Sequence, residues 1–146
     1  MTKIILKMML IIMMLSPSAL SASDLTGNIT VRMTGFHSDK GDVKITLFKS
    51  ADGFPEEKDK AYKISSVQIE NGKSQHTFTD VPYGEYGIAV HHDENSNGEM
   101  DKNFLGFPKE GFGTSNNKKS FGHPKYENAQ FVMNARELTL DITVDY

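Results

Sequence analysis

The chain has 146 residues, of which 38% are hydrophobic and 24% charged, with a formal net charge of −3 and no cysteine. That balance describes one ordinary globular domain, gives no sign of a fibre or of disorder, and excludes a disulfide framework. Its mild acidity also argues against nucleic-acid binding, which needs clustered Lys and Arg to neutralise phosphates.

Residues 1–22 stand apart from the rest. Lys3 and Lys7 make a positive start, Met8 to Leu15 an apolar core, and Ser16 to Ala22 a stretch rich in small residues that Pro17 separates from the core. This order is that of a secretory signal, with cleavage expected between Ser21 and Asp24. The apolar run from Ile4 to Leu15 is interrupted by Lys7 and is well short of the roughly 20 residues a spanning helix needs, so no transmembrane anchor is expected after cleavage. With no cysteine after the apolar core, attachment through a lipid-modified cysteine is excluded. The expected mature domain is 23–146; the removed segment carries two lysines and no acid, which takes the charge from −3 to −5. The protein is therefore expected to be exported, periplasmic or secreted.

From there the chain reads with a period of two. Ile29, Val31 and Met33 alternate with Thr30 and Arg32; Val43, Ile45 and Leu47 repeat the pattern. Tyr62 and Ile64 give way to Val67 and Ile69, a slip of one residue that predicts a bulge at Ser65 and Ser66. Asn71-Gly72 predicts a tight hairpin turn, because both positions must tolerate positive φ. His76 and Phe78 then share a face, as do Tyr86, Ile88, Val90 and His92 after the turn at Pro82 to Gly84. Ala129 and Phe131 supply a sixth strand, and Leu138, Leu140, Ile142 and Val144 a seventh. Apart from a short turn after Pro55, nothing beyond residue 22 has a helical stripe. The fold class expected is all-β: a seven-stranded antiparallel two-sheet sandwich, immunoglobulin-like or transthyretin-like, with one long ordered loop.

That loop opens at His91 and His92 and runs to about Tyr126. Segments of such length are uncommon in compact domains unless they are functional or disordered. Its first part, HHDENSNGEMD, places Asp93, Asn95, Asn97, Gly98, Glu99 and Asp101 at positions 1, 3, 5, 6, 7 and 9 of a calcium loop. Side chains at alternate positions converge when the chain wraps a hard cation; Gly98 permits the turn, Glu99 offers its backbone carbonyl, and Asp101 binds directly or through water. Position 12 is Phe104, which has no carboxylate, so a remote acid such as Glu110 would complete the shell or the affinity would be low. No helices flank the segment, which sets it apart from an EF-hand. The competing reading is a bare polar turn, since Asn, Asp and Gly all form turns through their own side chains.

The run HDENSNGEMDKNFLGFPKEGFGTSNN, with ITLFKSADGFP before it and the alternating last strand, resembles the bacterial family called domain of unknown function 2141. The resemblance covers nearly all of 23–146 and implies a small exported β-sandwich with no assigned activity. His92, Asp93, Asn95, Asn97, Gly98 and Asp101 match the first half of the family's central pattern, and Gly106, Pro108, Glu110, Gly111 and Gly113 its second half. His91 lies outside that pattern.

Enzyme readings are weaker. A zinc hydrolase could be built from His91, His92, His123 and Asp93, but adjacent residues of a strand point to opposite faces, which separates His91 from His92. Ser115 and Ser120 lack the G-x-S-x-G surroundings of a nucleophile elbow. Asp93 with Asp101 or Glu110 could be paired as glycosidase carboxylates, yet a domain this small leaves little room for a deep cleft. The expected function is a binding or interaction module and not an enzyme, with calcium as its ion; the alternative is a small metal-dependent hydrolase using the His91 to Asp101 cluster. Its partner would be an envelope or extracellular protein or a glycan, and the chain itself a monomer or weakly associating. Within the loop, Phe104 and Phe107 are expected to cap the open end of the sandwich beside the ion, leaving Phe112 and Phe121 as the exposed partner surface. The lysines from Lys102 to Lys125 read as a solvated face.

Overall fold

The computed structural model describes residues 25–119 and 122–146. The segment read as a signal, and Phe121, lie outside them. Among the described residues there are eight strands, β1 (Thr26–Thr34), β2 (Asp42–Phe48), β3 (Lys63–Val67), β4 (Lys73–Pro82), β5 (Gly84–Asp93), β6 (Phe112–Thr114), β7 (Phe131–Met133) and β8 (Glu137–Thr143), one short α-helix, α1 (Tyr126–Ala129), and two 3-10 turns, Lys58–Lys60 and Ser115–Asn117. They form two sheets, one ordered β4-β1-β8 and the other β3-β2-β5-β6, with β7 lying along the same edge of β5 as β6. Among the described residues no helix is long and apolar enough to cross a membrane.

The core follows from the alternation. Ile29, Val31 and Met33 of β1 and Val43, Ile45 and Leu47 of β2 are all fully buried between the sheets, with Ile88, Val90 and Ile142 packed against them. Burying one such side chain contributes roughly 1.5–3 kcal/mol, and this shared apolar seam is what holds the two sheets face to face.

Five features differ from the sequence reading, the last of them at the Asn71-Gly72 turn described below. β6 is an additional strand inside the long loop, too short at three residues to show a period. β1 pairs with β8 in parallel, with Val31 opposite Leu140, because the chain enters and leaves the three-stranded sheet in the same direction; the other pairings are antiparallel. Ser65 and Ser66 pair in continuous register with Ile45 and Lys44, so no bulge forms there. On an edge strand the half-exposed Ile64 simply faces outward, and the register shift falls instead in β1, between Gly27 and Ile29. In addition, Ala129 belongs to α1, and the strand begins only at Phe131.

The Asn71-Gly72 turn forms as read, with φ of 54° and 71° and the paired hydrogen bonds Glu70 N to Lys73 O and Lys73 N to Glu70 O, of 2.8 and 3.1 Å. Its strands, however, part into different sheets: β3 pairs with β2 and β4 with β1. The Asp39 carboxylate fixes this corner by accepting hydrogen bonds from Asn71 N and Gly72 N at 2.9 and 2.8 Å.

A second corner is pinned by Tyr86, buried at the start of β5, whose hydroxyl donates to the Pro82 carbonyl at 2.8 Å. Burial pushes this phenol up to about 12, with Tyr62 and Tyr126 adding to the effect. A folded value above the ordinary 10.0 favours the neutral form, so the contribution is complete below pH 10 and disappears as pH rises towards 12. Two pH units correspond to about 2–3 kcal/mol. Urea unfolding across that alkaline range should show a steep loss of stability in the parent protein and a shallower one in Tyr86→Phe, which has no proton to lose there. Parallel slopes would dissociate Tyr86 from the alkaline transition.

Candidate functional site

β5 is the centre of the five-stranded sheet, and its two faces carry different chemistry. Tyr86, Ile88, Val90 and His92 turn inward to the core. Gly87, Ala89, His91 and Asp93 turn outward, opposite Phe48, Thr46, Lys44 and Asp42 of β2 in register. Most outward-facing strands meet water, but here this face is covered. At one end Phe48, Phe54 and Tyr126 stack edge to face, with ring centres 5.3 and 5.6 Å apart. Towards the other end the chain from 94 to 111 folds back over it.

The base of that excursion is a buried polar network. Asp93 is fully buried; its Oδ2 accepts from Gly98 N at 2.8 Å and its Oδ1 from Asn97 N at 3.1 Å. Gly98 takes φ of 80°, a conformation that side chains resist and glycine adopts freely. Asn95 Oδ1 accepts from Asn97 N at 3.0 Å, Asn97 Oδ1 from Glu99 N at 2.8 Å, and both amide nitrogens donate to the Asp101 carboxylate, at 2.8 and 3.0 Å. Lys58 adds its ammonium to the Gly98 carbonyl from the neighbouring turn. The residues read as calcium ligands therefore meet in one tight loop. Among the described residues no three His, Cys, Asp or Glu side chains form a metal-holding group; of this loop's alternating set only Asp93 and Asp101 are read as giving a carboxylate, with two amides beside them and Glu99 read as giving its backbone carbonyl.

Glu110 is buried, and it braces the excursion across its width. Its Oε1 accepts from Glu94 N at 3.0 Å, and its Oε2 from Asp101 N at 3.1 Å and pairs with His91 Nε2 at 2.8 Å. Beside it Lys44 reaches Asp42 at 2.8 Å and lies 3.8 Å from Asp93. Burial pushes the Asp42 carboxyl up, but hydrogen bonds from Lys44 and Ser66 outweigh it and hold the group below its ordinary value. The same Asp42 contact holds the Lys44 ammonium above its own, against burial and with help from Asp93.

His92, on the opposite face from His91, enters a separate cluster at the end of the sandwich. Its Nε2 lies 2.7 Å from the Lys40 carbonyl, which can only accept, so Nε2 carries the proton and Nδ1 takes the Tyr146 hydroxyl at 2.5 Å. His37 stacks on the Tyr146 ring with centres 3.6 Å apart and bonds Glu94 at 2.5 Å. Neither His37 nor Tyr146 is marked by any sequence pattern; their partners are 54 or more residues away along the chain.

Between the excursion and the outer face lies a cavity of about 1010 Å³. Thr46, Ala89, His91 and Thr114 line it from the sheet, and Leu105 and Phe107 from the excursion. The aromatic residues do not sit as the sequence suggests. Phe104 and Phe107 are 95% and 59% exposed, while Phe112 is half-buried in β6, where it pairs with His91 and Asp145. The sandwich end that Phe104 and Phe107 were expected to cap is closed by Phe36, His92 and Tyr146 instead. Ser115 is buried, accepting from Ile88 N at 3.0 Å and donating to the Ala129 carbonyl, a structural role that ties β5 to α1.

No curated protein and no solved structure matches the chain. A family model described as "Uncharacterized protein conserved in bacteria (DUF2141)" matches residues 31–141, a span that runs from β1 into β8 and takes in the excursion, the network beneath it and all of the cavity lining except Tyr146. The chain belongs to this bacterial family, DUF2141.

Proposed function

We propose that the protein is an exported binding module in which a calcium ion rigidifies the 94–111 excursion and the excursion frames a ligand cavity on the outer face of the five-stranded sheet. The observation that carries this reading is the cavity itself, about 1010 Å³ between a rigid sheet and a loop that bears exposed aromatic rings. Recognition is usually placed on loops held by a rigid scaffold. Export rests on the signal character of residues 1–22.

Calcium suits the donor set. Asp93, Asn95, Asn97 and Asp101 are already linked by hydrogen bonds; an ion would displace the two amide donors from Asp101 and use the second lone pairs of the Asn95 and Asn97 oxygens, which can keep accepting from Asn97 N and Glu99 N. Glu99 would add its carbonyl and water the remaining positions. Phe104 offers nothing at the twelfth position, and Glu110 is engaged by His91 and two backbone amides, so low affinity is expected, about 10⁻⁴–10⁻³ M. A hydrolase built from the His91 to Asp101 cluster is less well supported, because His91 and His92 serve different faces and different partners.

An ion that binds only the folded state stabilises it by RT ln(1 + [L]/Kd), about 1.4 kcal/mol at ten times Kd. Calcium in excess should therefore raise the melting midpoint of the parent protein, and Asp101→Ala should lose the response. On a column, the immobilised protein should retain envelope material in calcium and release it to a chelator. An unchanged midpoint would remove calcium from the reading, and failure to retain anything with or without calcium would remove the binding role.

A further inference from the structure

Resting on the reading of this cavity as a binding site, we propose that its ligand is a neutral saccharide. The volume of about 1010 Å³ lies at the upper end of the roughly 300–1,000 Å³ usual for small-molecule sites, room for several sugar rings. Its lining has two characters. Phe107 and Phe112 contribute aromatic surface, and Tyr146, whose ring His37 stacks on, borders them. The C–H face of a pyranose packs on such rings, which bring large apolar area with little side-chain entropy to lose. From the sheet, Thr46 and Thr114 contribute hydroxyls that can both donate and accept, and His91, whose Nε2 is held by Glu110, contributes its Nδ1 as an acceptor, groups suited to a ring of hydroxyls.

The charges exclude the other ligand classes. Three lysines line the cavity and each is engaged: Lys44 with Asp42 at 2.8 Å, Lys102 with Glu56 at 3.0 Å, and Lys58 with the Gly98 carbonyl. An anionic ligand would have to break one of these contacts to gain its own. The remaining acids, Asp59 and Glu99, are exposed at the rim, where water screens them, so a cation gains little there. A purely apolar ligand would strip water from the threonines and His91 without replacing their hydrogen bonds. A neutral molecule with apolar faces and hydroxyl edges meets none of these penalties.

The test uses the full exported protein in calcium, immobilised, with bacterial envelope extract passed over it. Retained material should be destroyed as a ligand by periodate, which cleaves vicinal diols, and displaced by at least one of mannohexaose, cellohexaose and maltohexaose, all 1,4-linked with free adjacent hydroxyls at C2 and C3. Calorimetry with the displacing oligosaccharide should show binding that added salt leaves unchanged. Phe107→Ala should weaken it by about tenfold or more, while Phe104→Ala, which removes an exposed ring outside the cavity, should leave it as it is. Material that resists periodate and is not displaced by any of the three sugars, yet is lost in Phe107→Ala, would overturn the saccharide and leave the binding module standing. Loss of binding with rising salt would likewise overturn it in favour of a charged ligand. No retention at all would overturn both.

Discussion

Replacing Glu110 with alanine should lower the stability by about 3–5 kcal/mol, as expected when a buried, hydrogen-bonded charged group is deleted and its partners are left behind. Three groups lose their acceptor together: His91 Nε2, Glu94 N and Asp101 N. They come from β5, from the first residue after it and from the far side of the excursion, so the loss is also a loss of connection between the loop and the sheet. Glu110→Gln keeps one acceptor oxygen but turns an N–H₂ towards a backbone N–H, and should cost about 1–2 kcal/mol. Urea unfolding measures the first effect, and limited trypsinolysis the second. In Glu110→Ala, cleavage at Lys102 and Lys109 should precede any cut in the strands, since the excursion opens at lower free energy than the sheets. A variant within about 0.5 kcal/mol of the parent, with both lysines still protected, would show that Glu110 is not the brace.

His92→Ala should cost a comparable amount, about 3–4 kcal/mol, by a different route. The ring is fully buried, packs edge-on against Phe36 with centres 5.3 Å apart, and bridges the Lys40 carbonyl to the Tyr146 hydroxyl. Alanine leaves a cavity, the Lys40 carbonyl without its donor, and the Tyr146 hydroxyl without its acceptor, though His37 N still donates to that hydroxyl. His92→Phe refills most of the volume and isolates the hydrogen-bond part, about 1–3 kcal/mol. Tyr146→Phe removes only one of the two bonds and should lose less than either. Equal stability of His92→Phe and the parent would mean that packing alone keeps the ring in place. Because His92 and His91 lie on opposite faces, the losses from His92→Ala and Glu110→Ala should add almost fully in the double variant, unless Glu94, which contacts both clusters, couples them.

The candidate site shows where a single chain stops being informative about itself. Asp93, Gly98 and Asp101 stand out from their spacing, because a tight polar loop writes its hydrogen bonds into neighbouring residues. Glu110 is visible only as an acid that might reach the loop; that it is buried and faces His91 depends on how 94–111 folds back. Lys44 looks like any outward residue of an alternating strand until β2 pairs with β5 and puts it opposite His91. The exposure of Phe104 and Phe107 has the same cause. An aromatic residue in a loop is buried only if some surface is left open for it, and that end was already closed by Phe36, His92 and Tyr146.

What the sequence determined by itself was whatever rests on local periodicity: the all-β class, the inward faces of β1, β2, β5 and β8, the Asn71-Gly72 turn, and the division of His91 from His92. These follow from the two-residue repeat of a strand and from φ preferences, both of which act between neighbours. The tertiary structure alone decided which strands meet. The parallel pairing of β1 with β8, the parting of β3 and β4 into different sheets, and the short β6 along β5 all join segments far apart in the chain. The alternation that predicts a strand is the same whatever its neighbour. Only the competition among all the strands for one buried seam selects the pairing, and with it the cavity that the excursion covers.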